Sequence, residues 1–277
     1  MFLALRSQLA RPHRALAEIA ALAGLYVLYE LCRGAGGADL SLARAHTADV
    51  VSFERGLHIF HERAVQDWAQ GLPFLPVVLG LAYMSMHLGV TAAAVRWVYR
   101  RRPDAFPVVR TTLVVATAFS LAIYVLYPAA PPRLAGIGFS DTVSARTHLN
   151  LSSNLLGSFY DPLAAVPSLH FGYALLVGAA IASLARRRWA RLVGALYPAF
   201  MLFDIVATGN HFLFDASAGG GVVAAAWCVA LLLLKPSRVR VAGAGRSPQR
   251  TETTGPASFR GPLCVRTESG PSLRGGR

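Results

Sequence analysis

Two histidines, each at the start of an apolar segment, are the residues of this chain best suited to carry chemistry. His170 ends the sequence Pro-Ser-Leu-His, and His211 follows Gly-Asn and precedes Asp215 by one helical turn. Residues at i and i+4 share one face of a helix, so the Asp215 carboxylate can hold the imidazole tautomer that leaves the other ring nitrogen of His211 free to react. Together with the cation of Arg133, two imidazoles can move a phosphoryl group without a metal ion.

The composition indicates a membrane protein. Hydrophobic residues make up 54% of the 277 residues and charged residues only 15%, with a mean hydropathy of +0.45. A soluble domain carries about 25% charged residues, and a membrane-spanning helix needs roughly 20 apolar residues. We therefore predict an all-α, polytopic membrane protein. Its transmembrane helices, about six in number, are expected over residues 15–32, 72–96, 111–128, 169–185, 192–208 and 212–234.

The net charge of +13 follows the predicted topology. With the amino terminus inside, 21 of the 27 basic residues fall in inner segments, including the runs Arg100–Arg102 and Arg186–Arg188, and six fall outside. This positive-inside asymmetry predicts a cell-membrane protein with both termini in the cytoplasm. It accounts for the basicity without a nucleic-acid partner.

The chain divides into three parts. Residues 1–14 are predicted to be a cytoplasmic segment, residues 15–235 a six-span catalytic membrane domain, and residues 236–277 a disordered basic cytoplasmic tail, because they contain few apolar residues. Residues 33–71 lie outside the membrane in this topology. Apolar and charged residues alternate there with helical spacing, which predicts an outer amphipathic helix or helix pair.

The predicted topology brings the candidate residues to one side of the membrane. Spans four and six both run from outside to inside, so His170 and His211 mark their outer ends. Arg133 stands in an outer loop, where the two preceding prolines are expected to hold it in a stiff extended stretch. Ser168 suits the cap of span four. Unpaired N–H groups at both helix starts favour an anion such as phosphate.

These motifs resemble those of the type 2 phosphatidic acid phosphatase superfamily and, within it, the branch similar to inositol phosphorylceramide synthases. The resemblance covers roughly residues 45–235. The order of the two histidine motifs on a six-span chain is its most specific part. The matching segments are Ala-Pro-Pro-Arg (130–133), Pro-Ser-Leu-His (167–170), Gly-Asn-His (209–211) with Asp215, Glu54 to Glu62, and Tyr83 to His87.

The resemblance implies a role for each site residue. His211 would be the nucleophile that forms a phosphohistidine, with Asp215 orienting its ring. His170 would protonate the leaving alkoxide and then act as a base. Arg133, Ser168 and backbone N–H groups would hold the phosphoryl oxygens. The implied partners are a lipid phosphate ester and membrane lipids, with no metal and no organic cofactor.

The chain departs from the superfamily pattern at positions that usually carry cations. The common first motif has a lysine where Leu126 stands and a proline where Leu134 stands, and the third motif begins with Ser-Arg where this chain has Asp204-Ile205. The synthase-like branch is similar in lacking these cations, which favours that branch. Arg146 is a candidate replacement for the missing charge.

Structural explanations compete with the functional ones. Arg133 can snorkel to the membrane interface, and Asn210 can satisfy a helix end as readily as it can bind substrate. Asp204, inside span five, requires a polar pocket or an arginine partner. The three glycines at 219–221 are expected to allow close helix packing.

The outer segment has two such alternatives. His58, His61 and Glu62 could ligate a metal, but an amphipathic helix face with interfacial histidines is favoured because no further cluster accompanies them. Glu54 and Glu62 could contact a polar head group, but a solvated helix face is favoured.

Two classes of function remain. A phosphoryl-transfer enzyme would use water as the acceptor if it is a phosphatase, or an alcohol such as inositol if it is a transferase, and the residues leave this choice open. The alternative is a non-catalytic membrane lipid-binding or carrier protein with a degenerate site. Sparse intramembrane charge, chiefly Asp204 and Asp215, argues against a carrier, whereas the missing cations keep the degenerate lipid-binding relative open.

Overall fold

A computed structural model describes residues 39–147 and 162–234, together with Gly24 and Val27; the side chains of residues 146 and 147 are not described. The fold of these residues is all-α, as predicted. Their eight α-helices are α1 (Leu40–Gly56), α2 (Glu62–Gln70), α3 (Leu75–Arg101), α4 (Phe106–Leu126), α5 (Thr142–Thr147), α6 (Leu169–Leu184), α7 (Arg188–Ala207) and α8 (Leu213–Leu233). The predictions for the first span, for residues 1–14 and for the tail 236–277 lie outside the described residues, apart from Gly24 and Val27.

Four of these helices are long and apolar enough to cross a membrane, namely α3, α4, α7 and α8. The protein is therefore a multi-pass membrane protein. Five of the six predicted spans fall among the described residues, and four of those five are candidate spans. The predicted fourth span, α6, has 16 residues. At 1.5 Å per residue it is about 24 Å long, shorter than the roughly 30 Å hydrocarbon core.

Local sequence signals explain where the helices begin. Asp39 caps α1 by accepting a hydrogen bond from the Ser41 N–H at 2.9 Å, and Ser168 is the N-cap of α6, as predicted. Pro76 and Pro107 lie in the first turns of α3 and α4, where a missing N–H costs nothing. Arg186 and Arg187 lie in the three-residue connection between α6 and α7, and Arg188 begins α7.

Glycines let α6 approach its two neighbours closely. A Cβ on Gly178 would lie 2.6 Å from the carbonyl oxygen of Gly194 in α7, and one on Gly219 in α8 would lie 2.2 Å from the carbonyl oxygen of Ser168. A Cβ on Gly221 would meet nothing within 4 Å. Of the three glycines predicted to allow packing, Gly219 is therefore the one at which backbone contact requires it.

The segment before α3 forms a helix pair, α1 and α2, in agreement with the amphipathic prediction. Val50 and Val51 of α1 pack against Phe212, just before α8.

The loop between α4 and α5 differs from the prediction. Pro131 is extended, but Pro132–Leu134 form a 3₁₀ turn in which the Ala135 N–H donates to the Pro132 carbonyl. Arg133 therefore lies in a tight turn rather than in an extended stretch.

Candidate active site

The two candidate histidines face each other at one end of the helix bundle. The ring centroids of His170 and His211 are 5.6 Å apart, with a 51° angle between the ring planes. His170 is the second residue of α6, and His211 lies two residues before α8. The backbone joins the two helix starts directly, because the Ser168 N–H donates to the Asp215 carbonyl oxygen at 2.9 Å. One small group can therefore contact both imidazoles.

Asp215 holds the imidazole of His211 from one side. Its Oδ2 lies 3.3 Å from His211 Nδ1 and also accepts the Phe212 N–H at 2.9 Å. The aspartate is fully buried and His211 is 5% exposed. Since Nδ1 faces the carboxylate, Nε2 is the ring nitrogen left for chemistry.

A glycine turn delivers His211 to this position. Gly209 follows α7 with φ +72°, the left-handed conformation that glycine adopts without strain. A Cβ there would lie 2.3 Å from the Gln66 side-chain amide nitrogen. The amide of Gln66 is itself fixed, because it donates to the Ser140 carbonyl and accepts the Ser140 N–H, both at 3.0 Å. Helix α2 thus supports the turn from behind.

Arg133 is buried and held by the neighbour of the candidate nucleophile. Its Nε donates to Asn210 Oδ1 at 3.0 Å, its Nη1 lies 3.5 Å from Asp141 Oδ2, and its side chain is 2% exposed. Its backbone N–H donates to the Gly209 carbonyl at 3.0 Å. The snorkelling alternative is wrong, because a snorkelling side chain ends in solvent.

Asn210 serves both the helix end and the arginine. Its backbone N–H donates to the Ile205 carbonyl at the end of α7. Its side-chain Nδ2 donates to Thr208 Oγ1 at 2.9 Å, which fixes the amide so that Oδ1 faces Arg133.

Ser168, fully buried, uses its hydroxyl oxygen to accept the Phe171 N–H at 3.4 Å. The Ser168 O–H donor remains a candidate for binding an anion.

The solvated helix face favoured for the two glutamates is wrong. Glu54 and Glu62 are at most 1% exposed. Glu62 Oε1 accepts the Leu213 N–H at 3.0 Å, and Glu54 Oε1 accepts the Phe214 N–H at 2.6 Å. With Asp215 on the Phe212 N–H, three carboxyl groups occupy the start of α8. The expectation that this helix start offers its N–H groups to phosphate is corrected accordingly, because they already donate to protein carboxyls.

Burial gives Glu54 an unusual proton affinity. Desolvation raises the pKa of Glu54 to about 8, and the nearby Glu62 and Asp215 raise it further, against the lowering effect of the Phe214 N–H. One proton therefore resides on this carboxyl at neutral pH. The sequence contains no signal for this, since glutamates on an amphipathic helix are ordinarily solvated.

A stack of four aromatic rings, one of them the imidazole of His170, was not predicted from the sequence. The Tyr83 and His170 ring centroids are 4.3 Å apart, those of His87 and His170 are 4.1 Å apart, and those of His87 and Tyr173 are 5.2 Å apart. The available signal was the i, i+4 spacing of Tyr83 and His87 on one face of α3. In the sequence, this pair was recognised only as part of the family resemblance.

The remaining candidate residues, His58, His61 and Asp204, are not part of the paired-histidine site. His58 and His61 are exposed in the connection after α1, whereas Glu62 is buried. The described residues include no group of three His, Cys, Asp or Glu side chains placed to hold a metal ion. Asp204 is fully buried in α7, and neither of its oxygens has a hydrogen-bond partner in the described part of the chain. Of the two alternatives for Asp204, a polar pocket or an arginine partner, the arginine partner is therefore not found there.

The two positions that lack the usual cations carry apolar side chains in different surroundings. Leu126 is 80% exposed at the end of α4, and Ile205 is fully buried in a core cluster with Tyr83 and Met201. The side chain of Arg146, the candidate replacement, lies outside the described set.

The fold and the site define a multi-pass membrane protein with paired histidines at the start of two helices. The profile of the PAP2 superfamily matches residues 48–229, about two thirds of the chain and including both histidine motifs and Arg133. The chain belongs to this superfamily, whose members are typically phosphatases. No curated protein and no solved structure matches it.

Proposed function

We propose that this protein is a membrane phosphoryl-transfer enzyme that acts on a lipid phosphate ester through a phosphohistidine at His211. The observation that carries the proposal is the facing pair of imidazoles, 5.6 Å apart, with Asp215 on the Nδ1 side of His211. Membership of the PAP2 superfamily supports phosphate-ester chemistry in general. The lipid donor and the individual residue roles are the proposal.

In the first half-reaction His211 Nε2 attacks phosphorus. The N–P bond forms as the ester P–O bond breaks, and His170 transfers a proton to the departing alkoxide oxygen. Asp215 stabilises the positive charge that develops on the His211 ring. The products of this step are the free alcohol, a phosphohistidine and a neutral His170.

In the second half-reaction His170 takes a proton from the acceptor. The acceptor oxygen bonds to phosphorus, the N–P bond breaks, and His211 and His170 return to their starting states. Water as the acceptor gives a phosphatase, and an alcohol such as inositol gives a phosphotransferase. The two reactions share the first half-reaction.

The guanidinium of Arg133 and the hydroxyl of Ser168 would bind the phosphoryl oxygens. A planar guanidinium suits a phosphoryl group because it donates two parallel hydrogen bonds. Asn210 is the group that orients it, through the 3.0 Å bond to Nε. These groups and the two imidazoles complete the scheme without a metal ion or an organic cofactor.

The proposed branch within the superfamily is the one similar to inositol phosphorylceramide synthases. Its support is the apolar character of Leu126 and Ile205 at positions where the common pattern has cations. The proposed orientation, with the site toward the outer leaflet and both termini in the cytoplasm, rests on the positive-inside asymmetry. A lipid can then enter from the leaflet while the acceptor arrives from water.

Turnover and covalent trapping test the proposal together. Protein purified in detergent should release or transfer phosphate from phosphatidate or a phospholipid donor, with and without inositol, and a donor labelled with ³²P should leave acid-labile label on the protein. His211→Ala should abolish the label and reduce turnover by orders of magnitude. His61→Ala, which removes an exposed histidine, is the matched control. Full activity in His211→Ala would refute the mechanism.

A lipid-binding protein without turnover is the second candidate, favoured only by the missing cations. Vanadate distinguishes the binding protein from the enzyme, because vanadate adopts the five-coordinate geometry of phosphorus in the transition state of phosphoryl transfer. Tight vanadate binding that depends on His211 supports the enzyme. Stoichiometric lipid binding with neither turnover nor vanadate affinity supports the binding protein.

A further inference from the structure

We propose that the rings of Tyr83 and His87, here called the ring clamp, are positioning groups that hold the imidazole of His170 in the orientation needed for proton transfer. The inference rests on the proposed function, since it concerns the residue that would protonate the leaving group. It adds two residues of α3 to a site otherwise built from the starts of α6 and α8 and from the turn that carries Arg133. In this proposal both residues act through His170.

The geometry of the stack carries the proposal. His170 contacts both rings of the clamp, at centroid distances of 4.3 Å to Tyr83 and 4.1 Å to His87, with interplanar angles of 11° and 30°. Near-parallel rings at this distance touch face to face. Rotation of the His170 ring about its side-chain bonds would have to displace one of these neighbours.

The stack is anchored to a third helix. The His87 ring continues onto Tyr173, with an interplanar angle of 5°. The Tyr173 hydroxyl makes a short hydrogen bond to Thr117 Oγ1 of α4. The stack thus consists of rings from α3 and α6, and its end ring, Tyr173, is hydrogen-bonded to α4. Three helices therefore contribute to the orientation of one imidazole.

Stacking, rather than proton relay, is the role that the contact allows. A proton passes between ring nitrogens in the plane of the rings, whereas His87 and His170 meet by their faces. The Nδ1 of His87 is buried and has no hydrogen-bond partner among the described residues. A phenyl ring could fill the same space and stack in the same way. The substitution His87→Phe therefore distinguishes a role of the ring face, which it keeps, from a role of the ring nitrogens, which it removes.

The test varies the leaving group. General acid catalysis matters for an alkyl phosphate, whose alkoxide leaves poorly, and much less for 4-nitrophenyl phosphate, whose phenolate leaves without a proton. His87→Leu should lower kcat/KM, which reports the first half-reaction alone, by about tenfold or more for the alkyl phosphate and by less than about threefold for the nitrophenyl ester. His87→Phe should recover most of the loss. Tyr83→Leu, which removes the other ring of the clamp, should show the same leaving-group dependence.

The control variant is Tyr99→Leu, which removes a ring from the same helix at a 4.9 Å contact with Phe106, remote from the site. It should not change the ratio of the two rates. Thermal melting of each variant establishes that it is folded, and if one clamp variant fails to fold, the other decides.

Equal losses on both substrates, no loss in the leucine variants, or a phenylalanine variant as impaired as the leucine variant would overturn the ring clamp. Each of these outcomes is compatible with a wild-type protein that forms a phosphohistidine. Failure of the proposed function is recognised separately, because the wild-type protein would then form no phosphohistidine and would hydrolyse neither ester.

Discussion

The N–H of Ser168 donates a 2.9 Å hydrogen bond to the carbonyl oxygen of Asp215, so the first residue before α6 and the first turn of α8 are in direct backbone contact. One of the two facing histidines, His170, lies two residues after Ser168, and the other, His211, lies four residues before Asp215. The separation of the imidazoles is therefore set by a backbone contact rather than by flexible side chains. Gly219, one turn further along α8, lies against the Ser168 carbonyl and makes the approach possible.

Gly219→Ala should disrupt the site. Its Cβ would lie 2.2 Å from the Ser168 carbonyl oxygen, and backbone cannot yield as a flexible side chain can, so α6 and α8 must separate. We expect a loss of kcat/KM of at least about tenfold, because small misplacements of reacting groups are costly, together with a lower melting temperature. Gly221→Ala, where a Cβ meets nothing within 4 Å, is the matched control. Wild-type kinetics in Gly219→Ala would show that the contact does not set the spacing.

Arg133→Gln should weaken catalysis rather than folding of the bundle. Loss of the guanidinium removes a buried donor held by Asn210, and removal of one such donor costs about 10²-fold in rate in comparable sites. Steady-state kinetics on the donor lipid measure this loss. Arg55→Gln, which changes an exposed arginine at the end of α1, should leave the kinetics intact. Equal kinetics in the two variants would remove Arg133 from the proposed site.

Glu54 should make stability depend on pH. Its pKa of about 8 in the fold lies above its ordinary value of 4.5, so the folded state binds an additional proton between these values. The free energy of unfolding should consequently fall as pH rises from about 5 to 8. Melting temperatures in detergent across this range measure the slope.

Glu54→Gln should flatten that slope, because the amide oxygen can still accept the Phe214 N–H and no proton is required. Asp67→Asn, which changes a carboxylate 59% exposed beside Arg63, is the control and should retain the wild-type slope. An unchanged slope in Glu54→Gln would assign the pH dependence to another group.

Asp204→Leu should stabilise the protein. The carboxyl of Asp204 is fully buried in α7, with no hydrogen-bond partner among the described residues. Burial of such a group costs about 1–3 kcal/mol, and an apolar side chain of similar length avoids this cost. The melting temperature should rise, whereas Asp104→Leu, at an exposed aspartate between α3 and α4, should not raise it. A lower melting temperature in Asp204→Leu would indicate that the carboxyl has a partner.

The architecture was largely readable from the sequence because its signals are local. Apolar length predicted α3, α4, α7 and α8 to within about six residues at each end. Proline and serine at helix starts, and arginines between helices, are likewise properties of neighbouring residues. The family followed from short motifs whose internal spacing is visible in one dimension. The order and direction of the spans then indicated that His170 and His211 belong at the same end.

Tertiary packing decided which side chains are buried and what they touch. Glu54 and Glu62 have the sequence context of a solvated helix face, yet they cap α8 from two different helices, at chain separations of 160 and 151 residues. The exposure of a helix residue depends on which element packs against it, and the sequence of the helix does not specify that element. The same reason hid the four-ring stack, whose members come from two helices. The sequence by itself determined the helices and the identity of the reactive side chains. The packing of the helices decided how these side chains are oriented, which groups they contact and which carboxyl group holds a proton.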